Sequence, residues 1–164
     1  SFNFQKSTSR KHGYTIGANY ALVVNEESPE LDITRARLSL AYQYKSKLLH
    51  TFMLHYQQDK NEEEGRGHLA KDAIGLTYQM IWPITSNLMS SNYIMVEQSE
   101  YQEIHPILGA IRDETLGSAA TQFIYKLTDH QQINFKISGQ IKDSNVPIFS
   151  YERVEIGAGW QYRF

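Results

Sequence analysis

Six histidines, His12, His50, His55, His68, His105 and His130, are the side chains best suited to proton transfer or metal ligation in this sequence. His50 and His55 stand five apart in a stretch of alternating polarity, so their rings project from opposite faces of a strand and cannot share a metal. No His/carboxylate spacing matches a zinc site, and with no cysteine there is no thiolate ligand, disulfide framework or cysteine nucleophile. A Ser–His–acid grouping for acyl transfer would have to combine His68 with Ser118, and no local motif joins them. Asn61–Gly67 offers Glu62, Glu63 and Glu64 to a Ca²⁺ ion, but it lacks the spaced Asp/Asn ligands of a calcium loop and reads as solvated. The expectation is a protein without catalytic residues, metal or cofactor.

What remains is a polar set distributed with a strict period of two. Arg35, Arg37, Gln43, Lys45, His55, Gln57, Gln122, Lys126, Asn134, Lys136, Gln140, Arg153, Glu155 and Arg163 each alternate with bulky apolar neighbours. A period of two is that of a β-strand, whose successive side chains point to opposite faces. Tyr14–Val24, Arg35–Lys45, His50–Gln58, Ile74–Trp82, Ala119–Leu127, Ile133–Ile141 and Val154–Phe164 show it directly. Leu88–Gln98 mixes Met, Ile, Ser and Asn on both parities and is taken as a strand from its neighbours alone.

The segments joining these strands alternate in length. Asn25–Asp32, Asp59–Lys71, Ser99–Thr115 and Lys142–Ser150 are long and polar, whereas Ser46–Leu49, Pro83–Asn87 and Thr128–Gln131 are tight. Long loops at one end and short turns at the other, down an antiparallel meander, describe a transmembrane β-barrel with periplasmic turns and extracellular loops. The fold expected is therefore all-β, an antiparallel meander barrel of eight strands. Residues 1–12 add a partial ninth strand or a periplasmic lead-in. An odd count is unusual for a bacterial single-chain barrel, which favours reading residues 1–164 as the C-terminal portion of a larger one.

Alternation alone also fits a soluble barrel with its apolar set inward, and size and charge favour the opposite direction, with lipid outside. The apolar parity of the clean strands carries no charge, as required of a lipid-facing wall, where Lys or Arg at mid-depth costs roughly 2–4 kcal/mol. Aromatics gather toward strand ends, with Tyr42, Tyr44, Trp82, Tyr125, Trp160, Tyr162 and Phe164 by the short turns. Tyr56, Tyr101, Phe149 and Tyr151 form the second girdle expected at the loop side. A formal net charge of −2 gives no footprint for nucleic acid. The polar parity would line the lumen, packed as ion pairs in a closed eight-stranded barrel or edging a mildly anion-attracting path in a wider one.

Two resemblances add to this. Gly159, Trp160, Tyr162 and Phe164 resemble the C-terminal signal by which outer-membrane barrels are recognised by their assembly machinery. Asp143–Arg153, with the terminal strand behind it, resembles the last hairpin of the surface lipoprotein assembly modifier family of Gram-negative outer-membrane barrels. That likeness covers about the last twenty residues, with no tetratricopeptide segment before the strands. It implies an outer-membrane location, the bilayer and the assembly machinery as partners, and a protein or lipoprotein client. A transport or export barrel is the expected function. A small closed adhesive or structural barrel and a lipid-modifying barrel enzyme are the alternatives.

Overall fold

The computed structural model describes residues 2–7, 9–24, 32–61 and 67–163. The chain folds as β1 (Phe2–Ser7), β2 (His12–Val23), β3 (Ile33–Lys45), β4 (Leu49–Lys60), β5 (Lys71–Pro83), β6 (Leu88–Tyr101), β7 (Asp113–Lys126), β8 (Gln131–Ser144) and β9 (Tyr151–Tyr162). Single 3₁₀ turns lie at Gly67–Leu69, before β5, and at Pro147–Phe149, before β9. The nine strands form one sheet in sequence order, and every neighbouring pair is antiparallel. The partial strand expected at the N-terminus is β1, at six residues about half the length of its neighbours.

The sheet is not closed: among the described residues no ladder joins β1 to β9, and both remain edges. The strands also reach further toward the long connections than alternation of apolar residues reveals. β4 continues to Lys60, β5 begins at Lys71, β6 ends at Tyr101 and β7 begins at Asp113. In these extensions polar pairs replace apolar contacts while the ladder continues, as where Arg35 faces Asp59. β6, without a pattern of its own, is fixed by register: Ile94 and Val96 join the apolar face, and Tyr93, Met95 and Glu97 the polar one. Ser90 stands on the apolar face between Trp82 and Phe123, is buried by them, and accepts a hydrogen bond from Asn92 at 3.1 Å.

The register aligns one parity of all nine strands on each face. Burial is then inverted relative to a sheet with an oily core. Leu38 (60%), Leu76 (59%), Ile94 (59%) and Ile156 (70%) stand exposed, whereas His55 and Asp59, at 1% each, are the most buried large side chains. The only buried apolar residues among those described are Ala70, Ala73, Tyr101 and Ala120. No second layer covers the polar face, so its burial comes from crowding within the sheet, as on the inside of a curved wall.

The apolar face is banded. At the short-turn end, Tyr14, Tyr42, Tyr44, Phe52 and Tyr78 form a chain of ring contacts with His12 and His50. His12 Nδ1 lies 2.7 Å from the Tyr42 hydroxyl, and His50 Nδ1 lies 2.9 Å from that of Tyr78. At the loop end the face turns polar: the Asp72 carboxylate accepts from the Tyr56 hydroxyl at 2.5 Å and from Gln58 and Gln102 at 3.1 Å each. The four residues expected to form a loop-side aromatic girdle do not form one. Of these only Tyr56 lies on the apolar face. Tyr101 is buried on the polar face, Tyr151 shares that face, and Phe149 sits in a 3₁₀ turn. Cations draw these rings inward. Arg112 is sandwiched 3.6 Å from the Tyr101 centroid and 4.0 Å from that of Phe149, and Lys142 lies 5.9 Å from Tyr151.

Candidate functional site

Among the described residues, the five close contacts between basic and acidic side chains lie on the polar face or at its loop-end rim. The central feature of that face is a row across three strands: His55 on β4 pairs in register with Gly75 on β5, and Gly75 with Glu97 on β6. His55 and Glu97 are two strands apart, roughly 9–10 Å between backbones, and a side chain at position 75 would stand between them. Glycine removes that barrier. The imidazole lies directly over Gly75, where a Cβ would overlap the ring, and His55 Nε2 reaches Glu97 Oε2 at 2.8 Å. The other ring nitrogen, Nδ1, is buried without a hydrogen-bond partner among the described residues.

Toward the loops, Arg35 on β3 grips Asp59 on β4 in a two-pronged contact, Nε to Oδ1 at 2.7 Å and Nη2 to Oδ2 at 2.8 Å. This is the fork geometry in which guanidinium and carboxylate match best. Gln57 donates to the same carboxylate at 3.1 and 3.3 Å. Across the sheet Glu114 on β7 holds Lys142 on β8 at 2.8 Å and Arg112 at 3.1 Å, and accepts from the Tyr101 hydroxyl at 3.4 Å. Near the β9 edge, Arg153 lies 3.2 Å from Gln140 and 3.3 Å from Glu155, both charges more than half exposed.

All twelve of Arg35, Arg37, Gln43, His55, Gln57, Gln122, Lys126, Asn134, Gln140, Arg153, Glu155 and Arg163 carry the polar-face parity. The structure brings Arg35 and Gln57 together on Asp59, and Gln140, Arg153 and Glu155 into one group. His55 stands apart from both with Glu97. Arg37, Gln122, Lys126 and Arg163 enter no ion pair or side-chain hydrogen bond among the described residues. Asn134 packs against Gly159, where an added Cβ would stand 3.0 Å from its carboxamide oxygen.

Sequence reasoning missed the acidic partners. Asp59 continues the parity of His55 and Gln57 but looks like the start of a loop. Glu97 sits in the strand without a pattern, and Glu114 lies beyond the last clear apolar residue of β7. Extending each parity, by one alternation from Gln57 and by three from Ala120, would have found Asp59 and Glu114. Nothing local marks Glu97.

The remaining candidates separate. His68 lies in the first 3₁₀ turn against the edge of His105, while Ser118 stands mid-strand on β7 between Met95 and Gln140, its hydroxyl buried without a partner among the described residues. No group of three or more His, Asp or Glu among the described residues is placed to hold a metal. The Glu62–Glu64 stretch lies outside the described residues. Gly159, Trp160 and Tyr162 belong to β9, with Trp160 and Tyr162 exposed on the apolar face, their rings 6.2 Å apart. Phe164 lies outside the described residues. Comparison with protein-family models, with curated proteins and with solved structures returns no match for this chain.

Proposed function

We propose that this chain forms part of the wall of a transmembrane β-barrel in a bacterial outer membrane, and that its polar face lines a water-filled path for transport or export. The observation that carries this is the inverted burial: Leu38, Leu76, Ile94 and Ile156 outward, and the Arg35–Asp59 ion pair and the His55–Glu97 hydrogen bond inward. In water that arrangement would forfeit the hydrophobic effect; against acyl chains it is the stable one. Strand dimensions agree. Twelve to fourteen residues at about 3.3 Å each make a strand of roughly 40–46 Å, which at a tilt near 45° covers the ~30 Å hydrocarbon core.

A conduit is favoured over a small sealed barrel by the open edges. Nine strands do not close here, so a barrel that contains them is wider than the eight-stranded size at which side chains fill the interior. Arg153 and Glu155 remain more than half exposed on the polar face. The bilayer and the barrel assembly machinery are the partners of such a wall, β9 being the strand that the machinery would take. The resemblance at Asp143–Arg153 adds a lipoprotein client as one form of cargo.

The test is the complete protein, purified in detergent, refolded into vesicles and added to planar bilayers. Stepwise conductance is expected. A folded, membrane-inserted protein that passes no current overturns the conduit; a protein that stays monodisperse in buffer without detergent overturns the membrane wall itself.

A further inference from the structure

The polar face carries a surplus of one sign, and the surplus is positioned. Every acid on the strands of that face has a partner: Asp59 is held by Arg35, Glu114 by Arg112 and Lys142, and Glu155 by Arg153, while Glu97 hydrogen-bonds to His55. Arg37, Lys45, Lys71, Lys126, Lys136 and Arg163 share the face, and none enters an ion pair among the described residues. All but Arg37 and Lys71, whose ammonium lies over the Tyr101 ring, are in the half nearer the short turns. Lys45 ends β3, Lys126 ends β7, and Arg163 follows β9. Lys136 falls on the same cross-strand row as Lys45, through Leu49, Ile81, Ser91 and Gln122.

The acids are placed differently. Asp59 and Glu114 are at the loop end, Glu97 is central, and Glu155 lies one row above Lys136 and is held by Arg153. In the turns of this half, Asp129 is the one acid against Arg10, Lys11 and Lys47 among the described residues. A hollow of about 60 Å³ shows the arrangement locally: Lys126, His130, Gln132, Gln161 and Arg163 surround it, with Asp129 also in the lining. Unpaired cations along one half of a low-dielectric wall sum to a positive field across the path, because wall charges focus field lines into the aqueous space.

We infer that the path is selective for anions, with its filter in the half next to the short turns, and that what it carries is an anionic solute or polymer. This deepens the conduit reading and rests on it. The field would draw anions toward the mouth at the short turns, the periplasmic side of the proposed wall.

The experiment measures reversal potential for the complete protein in planar bilayers across a KCl gradient. A potential of the sign set by chloride is expected, declining as total salt rises and screens the wall. The double substitution Lys126→Glu/Lys136→Glu, at two exposed positions, is expected to move the potential toward zero and past it. Lys126→Gln/Lys136→Gln should move it part of the way and serves if the charge reversal fails to fold. Absence of conductance in inserted protein defeats the conduit and this inference together. A cation-selective or unselective path, or a reversal potential unmoved by both substitutions, overturns the inference and leaves the conduit standing.

Discussion

Leu54→Arg places the lipid-facing assignment under direct load. Leu54 is near the middle of β4, between Leu40 on β3 and Leu76 on β5, and is about half exposed on the apolar face. If that face met water, the substitution would forfeit only the half of the leucine packed against neighbours, about 1 kcal/mol. If it meets acyl chains at mid-depth, the guanidinium adds roughly 2–4 kcal/mol for its transfer into hydrocarbon, for a total of about 3–5 kcal/mol. The lipid part alone is a factor of roughly 30 to 1,000 in the folded-to-unfolded ratio, at about 1.4 kcal/mol per tenfold. Guanidinium titration of protein folded into vesicles reads it through Trp82 and Trp160, both exposed on that face. The control is Gln122→Arg on the polar face, beside Ser91 and Lys136, where a change within about 1 kcal/mol is expected. A loss for Leu54→Arg no greater than that of the control would refute the assignment of faces.

Two further substitutions probe the polar face. Arg35→Met strands the Asp59 carboxylate, only 1% exposed, with Gln57 as its remaining donor; a loss of about 3–5 kcal/mol is expected, mostly recovered in Arg35→Met/Asp59→Leu, and a full double-mutant cycle of vesicle-folded protein reads it. Gly75→Ala drives a methyl into the His55 ring and displaces it from Glu97. About 1–3 kcal/mol should be lost, and His55→Ala should suppress most of that loss in the same unfolding assay, whereas undiminished damage would show that the backbone and not the ring needs the glycine.

The architecture was legible where one face had to be uniformly apolar. Tyr14–Val24 and Arg35–Lys45 alternate without a break because each outward position meets the same surroundings, and the observed β2 and β3 differ from them by two residues or fewer at each end. Legibility faded toward the loops. There Lys71, Tyr101 and Glu114 still occupy ladder positions but are stabilised by charge and ring contacts with residues of the neighbouring strands some thirty positions away. Long-range pairing leaves no periodic trace. The same limit hid Glu97, whose partner is forty-two positions away across a glycine. It also misplaced the second girdle: Tyr101 and Phe149 have the composition of an interfacial belt, but the guanidinium of Arg112 draws both rings to itself. Sealing, too, was invisible in alternation, which is the same for an arc as for a complete ring.

The Arg112 clamp has a consequence for what the protein displays. Its two rings and the Glu114 carboxylate lock the base of the excursion that carries Ile104, Ile107 and Leu108, all three of them exposed. In the proposed wall, Ile104, Ile107 and Leu108 would stand outside this clamp, so exchanging those three side chains should leave the ladder intact, whereas His105, whose ring meets those of His68 and Phe149, ties the excursion to its base.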